Sequence, residues 1–151
     1  SNGFSLIRSA VLSRVALDEP LGESTVAEVL LAPSVLYSPS VQRLLEAAPV
    51  AAMAHITGGG MAANIARVLP ATVDAEIDAT SWPRPAVFAD VAAIGGIAEA
   101  EMFTTFNMGV GYVVVVDPDA APAAIASLGM PAVVIGEITP GSGAVHISGV
   151  S

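Results

Sequence analysis

The 151-residue sequence has no cysteine and no lysine, and only 13% of its residues are charged and 5% aromatic. Without cysteine there are no disulfides and no thiolate metal centres. Without lysine there is no Walker A phosphate loop, Schiff-base lysine or lysine general base, so a phosphorylated ligand must be held by backbone amides and arginine. The five arginines, Arg8, Arg14, Arg43, Arg67 and Arg84, stand singly among 14 acids, which leaves no clustered positive surface for a nucleic acid partner. Long hydrophobic runs are missing too, although 54% of the residues are apolar and the mean hydropathy is +0.72. The longest uncharged stretch, 47–66, is broken by Pro49, His55, three consecutive glycines and Asn64, so no membrane-spanning helix of about 20 residues is expected. No basic region followed by an apolar core marks a secretory signal, and a cytoplasmic location is expected.

The length and composition fit one globular domain spanning residues 1–151. Apolar residues at Phe4, Ile7, Val11, Leu12 and Val15 predict an opening helix that ends near Asp18 and Pro20. Thr25 and Glu28 have capping-box spacing before a short helix closed by Pro33, and Ser38-Pro39 starts a third with Val41, Leu44 and Leu45 on its inner face. Val50 to Thr57 reads as a buried strand, followed by Gly58-Gly59-Gly60 and a helix carrying Met61, Ile65, Val68 and Leu69. Val73 to Asp78 alternates as a strand with one wet face, and Phe88–Ile94 and Glu99–Phe106 read as helices. Gly109 to Val116 is the strongest strand, Asp117-Pro118 starts a helix that runs to Gly129, and Ala132–Ile138 and Ala144–Ile147 are expected to form a hairpin turning at residues 140–143. This order predicts an α+β fold, a mixed β-sheet layered with α-helices.

The glycine triplet is the most informative local feature. Three glycines between a strand and a helix let backbone N–H groups converge on an anion such as phosphate, or simply serve a tight turn. Gly58, Gly60 and Ala63, with Asp78 further on, also have dinucleotide-fingerprint spacing. Ser1-Asn2-Gly3 reads as a helix cap, and residues 106–111 lead with two glycines into the strongest strand. His55 beside the triplet is a candidate for substrate bonding or proton transfer, and equally for a backbone-bonded histidine. Asp74, Glu76 and Asp78 share one strand face and read as solvated rather than as magnesium ligands; His146 reads as structural and Trp82 as a packed loop anchor. Arg67, about 10 Å along its helix from Gly60 at about 1.5 Å per residue, is not expected to touch an anion held by the triplet.

Three runs, 1–8 (SNGFSLIR), 55–60 (HITGGG) and 105–111 (TFNMGVG), resemble in this order motifs of the phosphoribosylformylglycinamidine cyclo-ligase family, also called aminoimidazole ribonucleotide synthetases. The resemblance extends through 64–70, Ser81-Trp82-Pro83, Glu101-Met102 and Ile135-Gly136-Glu137, and covers the C-terminal half of such enzymes. It implies a ligase of purine biosynthesis that uses ATP and Mg2+ to close the imidazole ring of formylglycinamidine ribonucleotide. It further implies an N-terminal domain that carries the nucleotide and metal site and most of a homodimer contact, and a fragment that is inactive alone. Carried over by position, Ser1, Asn2 and Gly3, Thr57 with Gly58, Gly59 and Gly60, and Asn107 with Gly109 would line the substrate cleft, with His55 beside them. The alternatives are another ATP-dependent enzyme of the same superfamily and a noncatalytic dinucleotide- or phosphate-binding module.

Overall fold

The structure, a computed structural model, describes residues 2–150. Gly3, with a left-handed backbone (φ 73°), releases the chain into α1 (Phe4–Leu6), which continues as a π-helical stretch, Ile7–Val11. The expected long helix stops there: the Arg14 N–H bonds Val11 O three residues back, a tightening that ends helices. A hairpin that the sequence did not suggest follows, β1 (Pro20–Leu21) and β2 (Ser24–Thr25), turning at Gly22 with φ 64°.

Thr25 then caps α2 (Val26–Leu30) through a complete capping box: its hydroxyl accepts from Glu28 N–H, and the Glu28 carboxylate accepts from Thr25 N–H at 2.9 Å. Next come α3 (Ser38–Ala47), β3 (Ala52–His55), α4 (Gly60–Ala66), β4 (Val73–Asp78), α5 (Ala86–Gly95) and α6 (Glu99–Thr105). The chain closes with β5 (Tyr112–Val115), a 3-10 turn at Pro118–Ala120, α7 (Ala121–Leu128), β6 (Gly136–Pro140) and β7 (Val145–Ser148).

Helices and a mixed sheet are both present, as the α+β reading requires, but the strands divide among three sheets among the described residues. β3 pairs antiparallel with β5, and β4 lies between β6, antiparallel to it, and β7, parallel to it. The expected β6–β7 hairpin is therefore overturned. Residues 141–144 wrap around the start of β4: Gly141 N–H bonds Thr72 O, Gly143 N–H bonds Val73 O, and the Asp74 carboxylate accepts from Ser142 and Ala144 N–H at 2.7 Å each. With a strand between them, β6 and β7 sit two strand spacings apart, about 10 Å, which a four-residue turn spans easily. The dinucleotide reading fails on the same topology, because β3 and β4 lie in different sheets and no parallel pair flanks the glycine loop.

Burial alternates along β4, with Ala75 and Ile77 inward and Glu76 and Asp78 outward. The main core joins Ile7 and Val11 to Ile56, Met61 and Ile65, and these to Trp82, Met102, Phe103, Phe106 and Met108. A smaller core of Leu44, Ala48 and Ala124 locks α3 to α7, and Arg43 clamps the end of α7 by donating to Ser127 O and Leu128 O. A groove of about 1220 Å³ separates the outer side of β5 from residues 130–138, and Ile125, Val133, Val134 and Ile138 on its rim are exposed.

Candidate functional site

The glycine triplet has three different backbones. Gly58 has an ordinary φ, whereas Gly59 (φ 96°) and Gly60 (φ 71°) are left-handed, a region that side-chain-bearing residues avoid. Gly60 is also pressed on α6: a Cβ there would lie 1.9 Å from Phe103 O. The loop can thus run directly over the helix backbone only because no side chain intervenes. Gly60 is buried and its N–H returns to Thr57 O at 3.2 Å. Gly58 and Gly59 are exposed, and no described residue accepts from their N–H groups.

The first motif meets the third. Asn2 Nδ2 donates to Thr105 O at 2.8 Å, and Gly3 packs on the Phe106 ring so closely that a Cβ would lie 2.3 Å from it. In the third motif, Asn107 Oδ1 accepts from Gly109 N–H at 3.0 Å, Trp82 Nε1 donates to Met108 O at 3.0 Å, and Gly109 (φ 100°) packs against Pro85. Met108 is the one non-glycine among the described residues with positive φ, at 51°. All three loops therefore converge on residues 103–109, at the C-terminal end of α6. Ser1 lies outside the described residues.

His55 is exposed at the end of β3, its ring 5.8 Å from both Tyr112 and Tyr37. Tyr37 reaches this cluster across Gly111, where a Cβ would lie 1.9 Å from its hydroxyl, and burial raises the Tyr37 pKa above its ordinary value. His55 thus stacks on Tyr112 and meets Tyr37 edge-on, beside the loop that Thr57 begins.

Sequence reading passed over Asn64. It is only 5% exposed, and its Nδ2 donates to the carbonyls of Gly60 at 2.6 Å and of Thr57 and Gly58 at 3.3 Å each. Its Oδ1 accepts from Thr57 Oγ1 at 3.4 Å and Arg67 Nη1 at 3.3 Å. Arg67 is therefore one side chain from the loop. The signal was available, since Asn64 lies four residues after Gly60 on the same helix face, but its neighbours read as an apolar stripe.

Two further arginines are occupied. Arg84 pairs with Glu99, sits 5.0 Å over the Phe103 ring and donates to Gly149 O. Arg14 donates to Ile94 O. Arg8 is exposed and meets no described partner.

Two acids of β4, Asp74 and Asp78, serve the fold. Asp74 is held below its ordinary carboxylate pKa by the Ser142 and Ala144 N–H groups, with a smaller contribution from His146, whose exposed ring lies 3.6 Å away. Asp78 is likewise lowered by Thr80, whose hydroxyl and N–H both donate to it. Trp82 is buried, 6% exposed, as a loop anchor. Among the described residues no three His, Asp or Glu side chains gather as a metal site, and no helix is long and apolar enough to cross a membrane.

Comparison with known proteins agrees with the motif resemblance. A phosphoribosylformylglycinamidine cyclo-ligase of Anaeromyxobacter sp. (strain Fw109-5) is 45% identical over 149 residues, covering 95% of this chain and 43% of the relative. Relatives with the same name from Nitrosococcus oceani and Pseudothermotoga lettingae are 42% and 40% identical, covering 93% and 97% of this chain and 40% and 45% of their own lengths. The chain thus spans less than half the length of these curated relatives. The family described as AIR synthase related protein, C-terminal domain, matches residues 1–148, and with the three motif loops gathered at one end of α6 the chain belongs to that family.

Proposed function

We propose that this chain is the substrate-binding half of a phosphoribosylformylglycinamidine cyclo-ligase, which closes the imidazole ring of formylglycinamidine ribonucleotide at the expense of ATP in de novo purine biosynthesis. The observation that carries the reading is the convergence of Asn2-Gly3, Thr57–Gly60 and Asn107–Gly109 on the end of α6, with Gly58 and Gly59 exposed and no described residue accepting from their N–H groups. In a chain without lysine, such amides are suitable donors for a sugar phosphate. The helix behind them has seven residues, so its dipole adds little and the load falls on individual N–H groups. Asn107 Oδ1 is taken by Gly109 N–H, which leaves its Nδ2 to donate to substrate. Asn2 ties the first loop to the third, and His55 with Thr57 forms the adjoining wall. Ring closure is intramolecular, so binding, orientation and exclusion of water are the work assigned to these residues.

Mg2+ requires clustered hard oxygen ligands; Asp74 and Asp78 of β4 are spent on backbone N–H groups, and among the described residues no three carboxylate or histidine side chains gather. The residues here do not suit the metal, and no step is routed through it in this chain. ATP and Mg2+ are assigned to an N-terminal domain, whose closure over the loops completes the site in a cytoplasmic homodimer. The test is to join this chain to an N-terminal half, supply formylglycinamidine ribonucleotide with ATP, and measure aminoimidazole ribonucleotide by mass spectrometry. Formation of that product, absent with either half alone, is expected. ATP turnover only with a different substrate would overturn the assignment.

A further inference from the structure

We infer that Asn64, oriented by Arg67, is the positioning residue of the glycine loop: it fixes the loop's carbonyls inward so that the Gly58 and Gly59 N–H groups face the ligand. This deepens the reading above and rests on it.

The geometry is specific. A primary amide carries two N–H donors and one acceptor oxygen. Asn64 shares its two hydrogens among three loop carbonyls, Thr57, Gly58 and Gly60, and its oxygen takes both the Thr57 hydroxyl and the Arg67 guanidinium. Arg67 decides which way round the amide sits, because a guanidinium can only donate and so must face Oδ1. Flipping the amide would bring an oxygen against Gly60 O, now 2.6 Å from Nδ2.

A peptide's C=O and N–H point in opposite directions. Holding the Thr57 and Gly58 carbonyls inward therefore turns the N–H groups of the next residues, Gly58 and Gly59, outward. Glycine is the residue least able to hold such a shape by itself, so a run of three needs an external clamp. Asn64 supplies it from a buried position, 5% exposed, where its own bonds are shielded from competing water. Arg67 thus acts on the loop through the Asn64 amide.

Asn64→Asp tests this with almost no change in volume. A carboxylate puts acceptor against acceptor at all three carbonyls while still satisfying Arg67. In the two-domain protein, the KM for the ribonucleotide is expected to rise about tenfold or more, with kcat within about threefold and the KM for ATP unchanged. That pattern is the signature of lost ground-state binding at one ligand only. Hydrogen exchange in the unliganded two-domain protein is the second readout: the buried Gly60 amide, which donates to Thr57 O across the loop, should exchange at least about tenfold faster in the variant, while those of β4 keep their wild-type rates. Should Asn64→Asp fail to fold, Arg67→Ala removes only the orienting bond from an exposed side chain, and a smaller rise of about threefold in the same KM is expected.

An unchanged ribonucleotide KM, or equal rises in both KM values, would overturn the positioning role, as would unchanged exchange at Gly60. Failure of the wild-type two-domain protein to make the imidazole product would instead sink the functional reading, and the exchange experiment would still decide whether Asn64 holds the loop.

Discussion

Three adjacent glycines should respond to alanine in three different ways. At Gly58 an added Cβ meets nothing within 4 Å and φ is not positive, so the change should stay within about 0.5 kcal/mol of neutral. At Gly59 the Cβ meets only the Ala63 methyl at 3.4 Å, an ordinary contact, but φ is 96°; the left-handed backbone alone costs about 1–2 kcal/mol. At Gly60 the same kind of backbone strain, at φ 71°, is joined by a collision with Phe103 O at 1.9 Å and with the Phe103 and Thr104 carbonyl carbons near 3 Å. Those atoms belong to the backbone of α6 and cannot swing aside, so overpacking adds about 1–3 kcal/mol and the total is about 2–5 kcal/mol. For a chain of this size each kcal/mol lowers Tm by about 2–4 °C, which gives a fall of about 4–20 °C for Gly60→Ala and almost none for Gly58→Ala. Urea denaturation and thermal melts of the three variants measure this directly. Equal losses at all three positions, or a loss at Gly58 matching that at Gly60, would refute the reasoning. The ladder also selects the functional probe: Gly58→Ala alters the exposed side of the loop without straining the fold.

Other outcomes follow from single contacts. Asn2→Ala removes the bond that ties the first loop to Thr105 O and should lower stability by about 0.5–1.5 kcal/mol in denaturant titration. Trp82→Phe keeps the buried ring but leaves Met108 O without its donor; a loss of about 1–3 kcal/mol is expected, and no loss would mean that water replaces the indole. Thr25→Ala should cost about 1 kcal/mol by removing the cap. The capping box also carries a pH signature, since bonds from Thr25 hold the Glu28 pKa below its ordinary 4.5. Its stabilisation is therefore present above pH 4.5 and lost as the pH falls through the lowered folded-state value. Acid titration of Glu28→Gln, followed by circular dichroism, should show a shallower decline than wild type below pH 4.5.

What could be read from the sequence was local. The capping box, the start of α3 at Ser38 and the glycine loop each depend on residues within a few positions of one another, and all three stand where the pattern put them. The last strand was found, but the one before it begins four residues late, at Gly136, and runs through Pro140 of the expected turn, and the two were given the wrong partner. Pro140 to Gly143 carries the composition of a hairpin turn, and composition says nothing about a strand lying between the two arms. The deciding residue is Asp74, whose carboxylate gathers the turn's N–H groups from about 70 positions away. Asn64 was missed for a related reason: its effect lies in the direction of one amide, and that direction is set by Arg67. His55 was correctly placed beside the glycine loop, but its ring contacts with Tyr37 and Tyr112 depend on the β3–β5 pairing, which no local pattern encodes.

The wide cleft between β5 and residues 130–138 bears on how the molecule behaves at the bench. Its aliphatic lip, Val133, Val134, Ile125 and Ile138, is wetted, and contact between copies through it is opposed by the mutual repulsion of a body with nine surplus negative charges. That repulsion reaches about 10 Å in 0.1 M salt and about 3 Å in 1 M, whereas the attraction between greasy lips is not weakened by ions. Concentrated stocks should therefore be clearer in dilute buffer than in brine, the reverse of the usual habit of adding salt to keep a preparation in solution.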